Sequence, residues 1–395
     1  MKKGWQTKHL GDIATVGAGN SAPQDKALFM DGTIPFFRTA DAGRVRFGDI
    51  GEATDYLNDK GAKGLRRFAP GTILFPKSGA STFLNHRVML GAEGCVSSHL
   101  ATIVADQKQA HPRFLLYFLS TIAAQDLVQD HAYPSLNLPT IAGIVVHLPS
   151  LAEQQRIVEL LDEAFAGIAT AKTNAEKNLQ NARAFFEGHL QSVFTQRGKG
   201  WEQKTLEQIA IAFGRGKSKH RPRNEKKLYG GKYPFIQTGD IRDADHFIIE
   251  YSQTYSEAGL AQSKLWPKGT VCITIAANIA ETGILDFDAC FPDSVIGVVA
   301  NPKEADVGYV EYLLQSFKVR LQTKGKGSAQ ANINMGTFEH ERFPFPSVTE
   351  QKRIVIKLES LREEARSLES LYERKLVALD ALKKSLLHQA FNGQL

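Results

Sequence analysis

The sequence predicts an α+β fold in which two mixed α/β domains are separated by two long antiparallel helices that form a coiled coil. Two observations lead to this prediction: the chain repeats itself once over nearly its whole length, and each copy ends in a long amphipathic helical pattern. At 395 residues the chain is also too long for one core of ordinary size. The predicted parts are a first domain, a first helix, a second domain and a second helix, with bounds 1–149, 150–197, 198–346 and 347–395.

The internal repeat consists of matching segments in a steady register. The two members of each pair lie 196 to 199 residues apart, which excludes a short-period solenoid. The matches are 4–14 with 200–210, 35–41 with 234–240, 149–158 with 346–355, and 190–194 with 387–391.

Between the matched segments the two copies differ strongly, and residues 43–63 have no clear counterpart in 243–263. Two copies that share a scaffold but recognise different targets would diverge in this way. Neutral drift after duplication explains the divergence nearly as well.

A long helix is predicted at the end of each copy. Ser150-x-x-Glu153 and Ser347-x-x-Glu350 are capping boxes, and apolar or small residues then recur every three or four positions without an intervening proline. A helix of about 40–45 residues cannot bury its stripe against a small domain, so we expect the two stripes to pack together. The order of the parts along the chain then makes the helices antiparallel. Homo-oligomerisation through the helices is the alternative.

Composition favours an anionic partner and an intracellular location. The formal net charge is +6 and the pI about 9.0, a mild excess that nucleic acid commonly explains. The three cysteines form no CxxC pair, which argues against a disulfide framework and a structural zinc site. Because no signal peptide and no apolar run of about 20 residues is visible, we expect a cytoplasmic protein.

Basic and amide residues in predicted loops are the candidate DNA-binding residues. Segment 215–227 contains seven Lys or Arg residues and one acid, a composition suited to phosphate contacts, although a merely solvated loop is the alternative. A second basic stretch leads into side-chain amides that could pair with adenine edges. The candidates are Arg38, Arg44, Arg46, Lys77, Asn85 and Arg87 in the first domain, and Arg215, Lys217, Lys219, Arg221, Arg223, Gln237, Lys324, Lys326, Gln330 and Asn332 in the second.

No catalytic or metal-binding constellation is evident. Gly214 to Ser218 imitates the end of a phosphate-binding loop, but Ile211 stands where the first glycine of that motif is required. An Asn-Pro-Pro-Tyr-like methyltransferase motif and a deaminase signature are both absent from the sequence. We therefore predict no catalytic residue and no metal site.

The combined motifs make the chain resemble the specificity subunit of type I restriction-modification systems. The resemblance spans the whole chain and rests on the opening Gly-Trp-x-x-x-x-Leu-x-x-Ile-Ala, Pro-Phe-x-x-Thr-x-Asp, Pro-Ser-x-x-Glu-Gln-x-Arg-Ile-Val and the ending 386–395. It implies two target-recognition domains that each read half of a split DNA site, with the helices as a ruler for the spacer. It also implies two adenine-methylating modification subunits, restriction subunits, and S-adenosylmethionine bound only by the modification subunits.

Two other functions remain open at this point. One is a modification enzyme fused to its own DNA reader, against which the missing methyltransferase motif speaks. The other is a structural protein that only dimerises, against which the basic loops speak. Salt-dependent DNA binding separates the dimerising protein from the DNA reader.

Overall fold

The computed structural model describes residues 4–128, 130, 132, 134–196, 198, 200–220, 222–276, 278–325 and 333–395, with the side chains of 324 and 325 left out. The chain divides into two compact units. Unit 1 comprises Met1–Ala175 and Arg374–Leu395, and unit 2 comprises Glu176–Glu373. Each unit therefore combines one mixed α/β domain with one segment of each long helix.

Domain 1 is built from eleven strands and five short helices within the described residues, and a long helix follows it. The strands are β1 (Gln6–His9), β2 (Ala14–Ala18), β3 (Ile34–Phe37), β4 (Phe47–Ile50), β5 (Asp55–Leu57), β6 (Arg67–Phe68), β7 (Ile73–Pro76), β8 (Arg87–Leu90), β9 (Gly94–Val96), β10 (Leu100–Ala105) and β11 (Val145–Leu148). The helices are α1 (Leu10–Ile13), α2 (Thr39–Val45), α3 (Asp59–Ala62), α4 (Pro112–Ser120), α5 (Leu138–Ala142) and the long α6 (Leu151–Thr195).

Domain 2 also has eleven strands among its described residues, and the second long helix follows it. The strands are β12 (Glu202–Lys204), β13 (Ala210–Arg215), β14 (Tyr229–Phe235), β15 (Phe247–Ile248), β16 (Gln253–Tyr255), β17 (Leu265–Trp266), β18 (Val271–Thr274), β19 (Thr282–Leu285), β20 (Ala289–Cys290), β21 (Val295–Ala300) and β22 (Phe343–Phe345). The helices are α7 (Thr238–Asp243), α8 (Glu257–Ala261), α9 (Val307–Gly325), α10 (Met335–Glu339) and the long α11 (Val348–Phe391).

The sheets of the two domains have the same topology. Domain 1 forms a five-stranded sheet of order β2-β10-β7-β8-β4, a four-stranded sheet β5-β3-β9-β6 and the pair β1-β11. Domain 2 forms β13-β21-β18-β19-β15, β16-β14-β20-β17 and β12-β22. Each strand of domain 1 has its counterpart eleven strands later, so the sequence repeat is a structural repeat and the predicted fold is confirmed.

The two segments without a sequence match nevertheless fold alike. In each, a strand leads into a short helix whose N-cap side chain, that of Asn58 or Ser256, accepts a hydrogen bond from the amide of Gly61 or Gly259. A β-carbon at either glycine would lie 2.3 to 2.5 Å from a backbone carbonyl oxygen. The two segments are therefore structural counterparts although their sequences do not align, because only a cap and a glycine persist and both are short signals.

A buried glutamine holds the start of each long helix to its own domain. The Gln154 amide group donates to the carbonyl oxygens of Gln109 and Pro149, both at 2.9 Å, and its oxygen accepts the amide of His111 at 2.8 Å. Its side chain is completely buried. These bonds satisfy three backbone groups just ahead of α4 and at the helix start, so α6 leaves domain 1 in a fixed position.

The same arrangement recurs at the second helix. Gln351 donates to the carbonyl oxygens of Glu304 and Pro346 at 3.1 and 2.9 Å, and accepts the amide of Asp306 at 2.8 Å. Each glutamine follows the glutamate of the predicted capping box. As the capping boxes predict, the serine hydroxyl oxygens accept hydrogen bonds from the backbone amides of Glu153 and Glu350, at 3.4 and 3.3 Å.

The two long helices run antiparallel within each unit. In unit 1, Lys172 pairs with Asp380, and the Lys383 ammonium lies 4.9 Å from the ring centroid of Phe165. As α6 advances towards its C-terminus, its partners on α11 step backwards.

Unit 2 has the equivalent pairing with the residue types exchanged. Arg183 binds Glu369 at 2.9 Å, and the guanidinium carbon of Arg362 lies 5.9 Å from the ring centroid of Phe186. In both units the aromatic residue is on α6 and the cation is on α11. In the sequence repeat, however, Phe165 corresponds to Arg362 and Phe186 corresponds to Lys383. The aromatic residue and the cation therefore occupy exchanged positions of the repeat. The predicted antiparallel pairing is confirmed within each unit.

The predicted apolar seam is only partly buried. Ile157, Leu161, Leu358 and Ala365 are buried. In contrast, the α11 residues Leu368 and Leu382, which the pattern placed in the seam, remain 43% and 46% exposed. A pair of helices covers one side of each stripe, so a wide stripe keeps exposed apolar positions.

The residue pattern of the sequence also predicts strands at Phe68–Phe75 and Val271–Ile275 and helices at Arg113–Gln125 and Gly308–Leu321, and two of these four predictions need correction. The continuous strand expected from Phe68 to Phe75 is two strands, β6 and β7, because Gly71 adopts a φ of +88° in the turn between them. The helix expected from Arg113 to Gln125 ends at Ser120. The other expected strand and helix correspond to β18 and α9.

Further properties concern cysteines and membranes. All three cysteines are free and buried. Of the helices that the described ranges contain, none combines the length and apolarity needed to cross a bilayer.

We predict that Q154A lowers the free energy of unfolding of unit 1 by about 2–3 kcal/mol, because two carbonyl groups and one amide lose their buried partner. Chemical denaturation of the full chain measures this change. The matched control is Q155A, since Gln155 is the next residue, is exposed and bonds only to Glu159 on the same helix among the hydrogen bonds described. Equal stability of the two variants would contradict the anchoring role.

Candidate nucleic-acid interface

Each domain carries a cleft at the same place in its fold. The cleft lies between the loop after the central strand, β7 or β18, and the segment before the short helix, α5 or α10. Its volume is about 570 Å³ in domain 1 and about 670 Å³ in domain 2. The lining residues are Ser78, Gly79, Ala80, Phe83, Ala132, Pro134 and Ser135 in domain 1, and Arg215, Arg223, Ile275, Ala276, Asp293, Ser294, Ile333 and Asn334 in domain 2.

One backbone frame forms both clefts. The amide of Leu136 donates to the carbonyl oxygen of Lys77 at 2.8 Å, and the amide of Ile333 donates to that of Ile275 at 3.2 Å. The residue after each amide is an asparagine whose side chain caps the following short helix. The position of the cleft is therefore fixed by the scaffold, while the side chains that line it differ.

The chemical character of the two linings differs sharply. The described lining of domain 1 is small, neutral and partly apolar, whereas that of domain 2 includes two arginines, an aspartate and an asparagine. A shared frame with different surface chemistry is the arrangement expected of two recognition domains with different targets.

Asp293 organises the arginines of the domain 2 cleft. Its carboxylate accepts two hydrogen bonds from Nη2 of Arg223, at 2.9 and 2.8 Å. Its backbone oxygen accepts a 2.6 Å bond from Nε of Arg215. The Arg223 side chain stays 47% exposed, so it faces solvent while its orientation is fixed.

Lysines of the basic loop lie next to these arginines in the chain. Lys217 and Lys219 are exposed, and the Lys217 carbonyl oxygen accepts a 2.8 Å bond from the Ser263 hydroxyl. The neighbouring Lys264 ammonium lies 3.4 Å from the ring centroid of Trp266. Burial and the charge of Lys217 lower the pKa of Lys264. This region has an excess of positive charge, which an approaching phosphate would relieve.

Domain 1 has a cation over an aromatic ring at the equivalent strand. The guanidinium carbon of Arg66 lies 4.8 Å from the ring centroid of Phe68, on β6, which is the counterpart of β17. The Asn20 side chain holds the Arg66 backbone through two hydrogen bonds of 2.8 and 2.9 Å. Sequence reasoning noted Arg66 among the basic residues of the predicted loops but did not select Lys264. The repeated cation-x-aromatic spacing just before a glycine turn was the available signal.

Three of the four predicted arginines of domain 1 lie on and around α2. Arg38 pairs with Asp55 at 2.5 Å and occupies the N-cap position of α2, where its backbone amide donates to the Asp41 carboxylate at 2.8 Å. Arg44 is 54% exposed, and Arg46 at the helix end is exposed as well. Lys77 is partly exposed and belongs to the loop that frames the cleft. These positions are compatible with DNA contacts, and their assignment stays a prediction.

Asn85 and Arg87 occupy structural positions. The Asn85 side chain donates to Gln125 and accepts the amide of Ala124, both at 2.8 Å. Arg87 is completely buried, its guanidinium carbon lies 3.4 Å from the ring centroid of Phe75, and burial lowers its pKa to about 9. The expectation that Arg87 contacts DNA does not fit this position, because an enclosed guanidinium cannot reach a phosphate.

The remaining predicted residues belong to domain 2. Gln237 is partly exposed and its side-chain nitrogen donates to Gln253 at 3.2 Å. Arg221, Lys326, Gln330, Asn332 and the side chain of Lys324 lie outside the described residues.

Two equivalent domains, each with a cleft in the same frame and each joined to long helices, define a two-part recognition protein. A family model described as "Type I restriction modification DNA specificity domain" matches residues 2–180 and again residues 198–373. The chain belongs to this family. It is a type I restriction-modification specificity subunit with two target-recognition domains.

Individual similar proteins agree with the family assignment. The EcoBI type I restriction enzyme specificity subunit of Escherichia coli is 26% identical over 352 residues, which cover 79% of this chain and 71% of that protein. The HsdS subunit from Thermoanaerobacter tengcongensis has a crystal structure with a TM-score of 0.70 at 18% identity, covering 100% of this chain and 98% of that one. A chain from a structural study of assembly and conformational transition of the type I R-M system gives 0.79 at 18% identity, covering 100% and 99%.

We predict that K217A/K219A lowers DNA affinity and reduces the slope of log affinity against log salt concentration by about 2, because each lysine releases about one counterion on binding. Binding titrations at several salt concentrations measure the slope. R87A serves as the contrast: it should lower the unfolding temperature, because it empties a buried site, and leave the slope unchanged. An unchanged slope in the double variant would remove these lysines from the interface.

Proposed function

We propose that this chain is the non-catalytic DNA reader of a type I restriction-modification complex, in which each target-recognition domain reads one half of a bipartite double-stranded site. The observation that carries the proposal is the pair of clefts with one frame and two different linings. Phosphate contacts from the exposed lysines supply affinity, and the residues that line each cleft supply sequence discrimination. Its site of action is cellular DNA, in the cytoplasm.

The long helices set the distance between the two half-sites. They contain 45 and 44 residues, which corresponds to about 65 Å of helix each at ~1.5 Å per residue. A helix keeps its length far better than a loop does, so the spacer between the half-sites has a fixed length.

The exposed apolar residues of α11 are the proposed docking positions for the modification subunits. Ile356 and Val377 are 67% and 71% exposed, and Leu371 is 49% exposed. Large exposed apolar side chains are among the positions at which a helix can contact a partner. Two modification subunits bind, and restriction subunits join this core. S-adenosylmethionine and the methyl-transfer chemistry belong to the modification subunits.

We predict that a split, asymmetric adenine-methylated motif appears in the DNA of cells that express this chain together with its modification subunit. Cells that express the modification subunit alone should lack the motif, because the reader is missing. Genome-wide methylation mapping measures both. The same motif without this chain would refute the reader role and favour the alternative, a dimerising scaffold.

We predict that I356E and V377E each reduce the amount of modification subunit that co-purifies with the chain, because a charge would be buried against an apolar partner surface. Co-purification at equal expression measures this loss. K375E is the matched control, since Lys375 is an exposed charged residue on the same helix. If K375E reduces recovery as much as the apolar variants, net charge rather than this surface controls binding.

A further inference from the structure

The Arg223–Asp293 pair is the only arginine–carboxylate ion pair among the described residues that line either cleft. Nη2 of Arg223 binds both carboxylate oxygens of Asp293, and the Tyr229 hydroxyl donates to the Arg223 carbonyl oxygen at 2.7 Å. The backbone and the side chain of Arg223 are therefore both held. Since the two charged side chains are 47% and 39% exposed, such a pair adds little stability and its value lies in orientation.

The carboxylate also determines which part of DNA the arginine can approach. A phosphate that contacts Arg223 would come close to the negative Asp293 and compete with it for the same guanidinium. A base edge is neutral, so it can accept hydrogen bonds from Arg223 without this repulsion. Among the bases, guanine presents two adjacent acceptors in the major groove, N7 and O6, and arginine is their commonest partner.

The neighbouring cations have the opposite surroundings. Lys217 and Lys219 are exposed, and burial together with the nearby charge of Lys217 lowers the pKa of the Lys264 ammonium group. These lysines suit phosphates, which carry no sequence information. Domain 2 therefore separates an arginine that is held by a carboxylate from the exposed lysines Lys217 and Lys219 of the same basic loop.

Among the residues of domain 1 that the structure describes, this pair has no counterpart. Cys95 pairs with Phe36 in domain 1 as Cys290 pairs with Phe235 in domain 2, so the two cysteines are equivalent. Ser98 and Asp293 each lie three residues after the cysteine, so Ser98 occupies the position that corresponds to Asp293. Ala18, the last residue of β2, stands where β13 ends in Arg215. The arginine–aspartate arrangement is thus specific to domain 2 and can contribute to a difference between the two half-sites.

We propose that Arg223 reads a guanine in the half-site of domain 2 and that Asp293 is its positioning residue. This inference rests on the proposed function, because it requires domain 2 to read DNA. It assigns the base-reading task to one residue of the basic loop and leaves phosphate binding to the lysines.

The test uses the full chain in complex with its modification subunits, and measures binding to DNAs that carry every single base change in the cognate site. R223K keeps the positive charge and removes the planar guanidinium with its adjacent donors, while D293N keeps the shape and removes the negative charge. Each variant should reduce discrimination at one G·C pair of one half-site, and at the same pair, on the order of 10- to 100-fold. The other half-site should be unaffected. K219A, from the same loop, should weaken binding to all these DNAs alike.

The outcomes distinguish this inference from the proposed function. If R223K weakens binding to every sequence equally, Arg223 contacts a phosphate and the inference is wrong. It is also wrong if R223K and D293N leave base preference unchanged, or if they relax an A·T pair. Thermal unfolding of both variants ensures that a loss is not caused by misfolding. If the wild-type complex shows no preference for any bipartite site, the proposed function itself fails.

Discussion

The architecture depends on the buried glutamine at the start of each long helix. Gln154 and Gln351 each satisfy three backbone groups that are removed from water, at the point where a domain passes into its helix. An unpaired buried amide or carbonyl is costly, so the joint has one favourable geometry rather than a hinge. Because the same joint occurs in both copies, each domain has a fixed orientation relative to the helix that follows it.

The sequence predicted the framework of the molecule well because the framework is repeated. Capping boxes, helical periodicity and constant spacing are local or periodic signals, and they identified both long helices and the two-domain repeat. The glutamines were visible in the repeated Pro-Ser-x-x-Glu-Gln motif, but their role depends on loops more than 40 residues away. Arg87 shows the same limit: its charge suggested the surface, whereas its packing against Phe75 encloses it.

The recognition surface could be predicted only in outline. Charge density located the basic loop of domain 2, and the structure places Lys217 and Lys219 there as exposed cations. The basic residues of that loop differ in the groups that their side chains bind. The partner of Arg223 is Asp293, which lies 70 residues away in the sequence. No local pattern encodes that pairing. The equivalent fold of the segments around Gly61 and Gly259 was hidden for a related reason, since a cap and a glycine are common in unrelated loops.

The pairing of the first and last strands of each domain has a consequence for evolution. β1 pairs with β11 and β12 with β22, so the chain enters and leaves each domain at neighbouring positions. A domain bounded in this way can be exchanged as a cassette. Another domain with the same first and last strands would form the same strand pair and connect to the long helix through the same glutamine. New combinations of targets can therefore arise by exchange of whole cassettes between related genes, without gradual change of the reading surface.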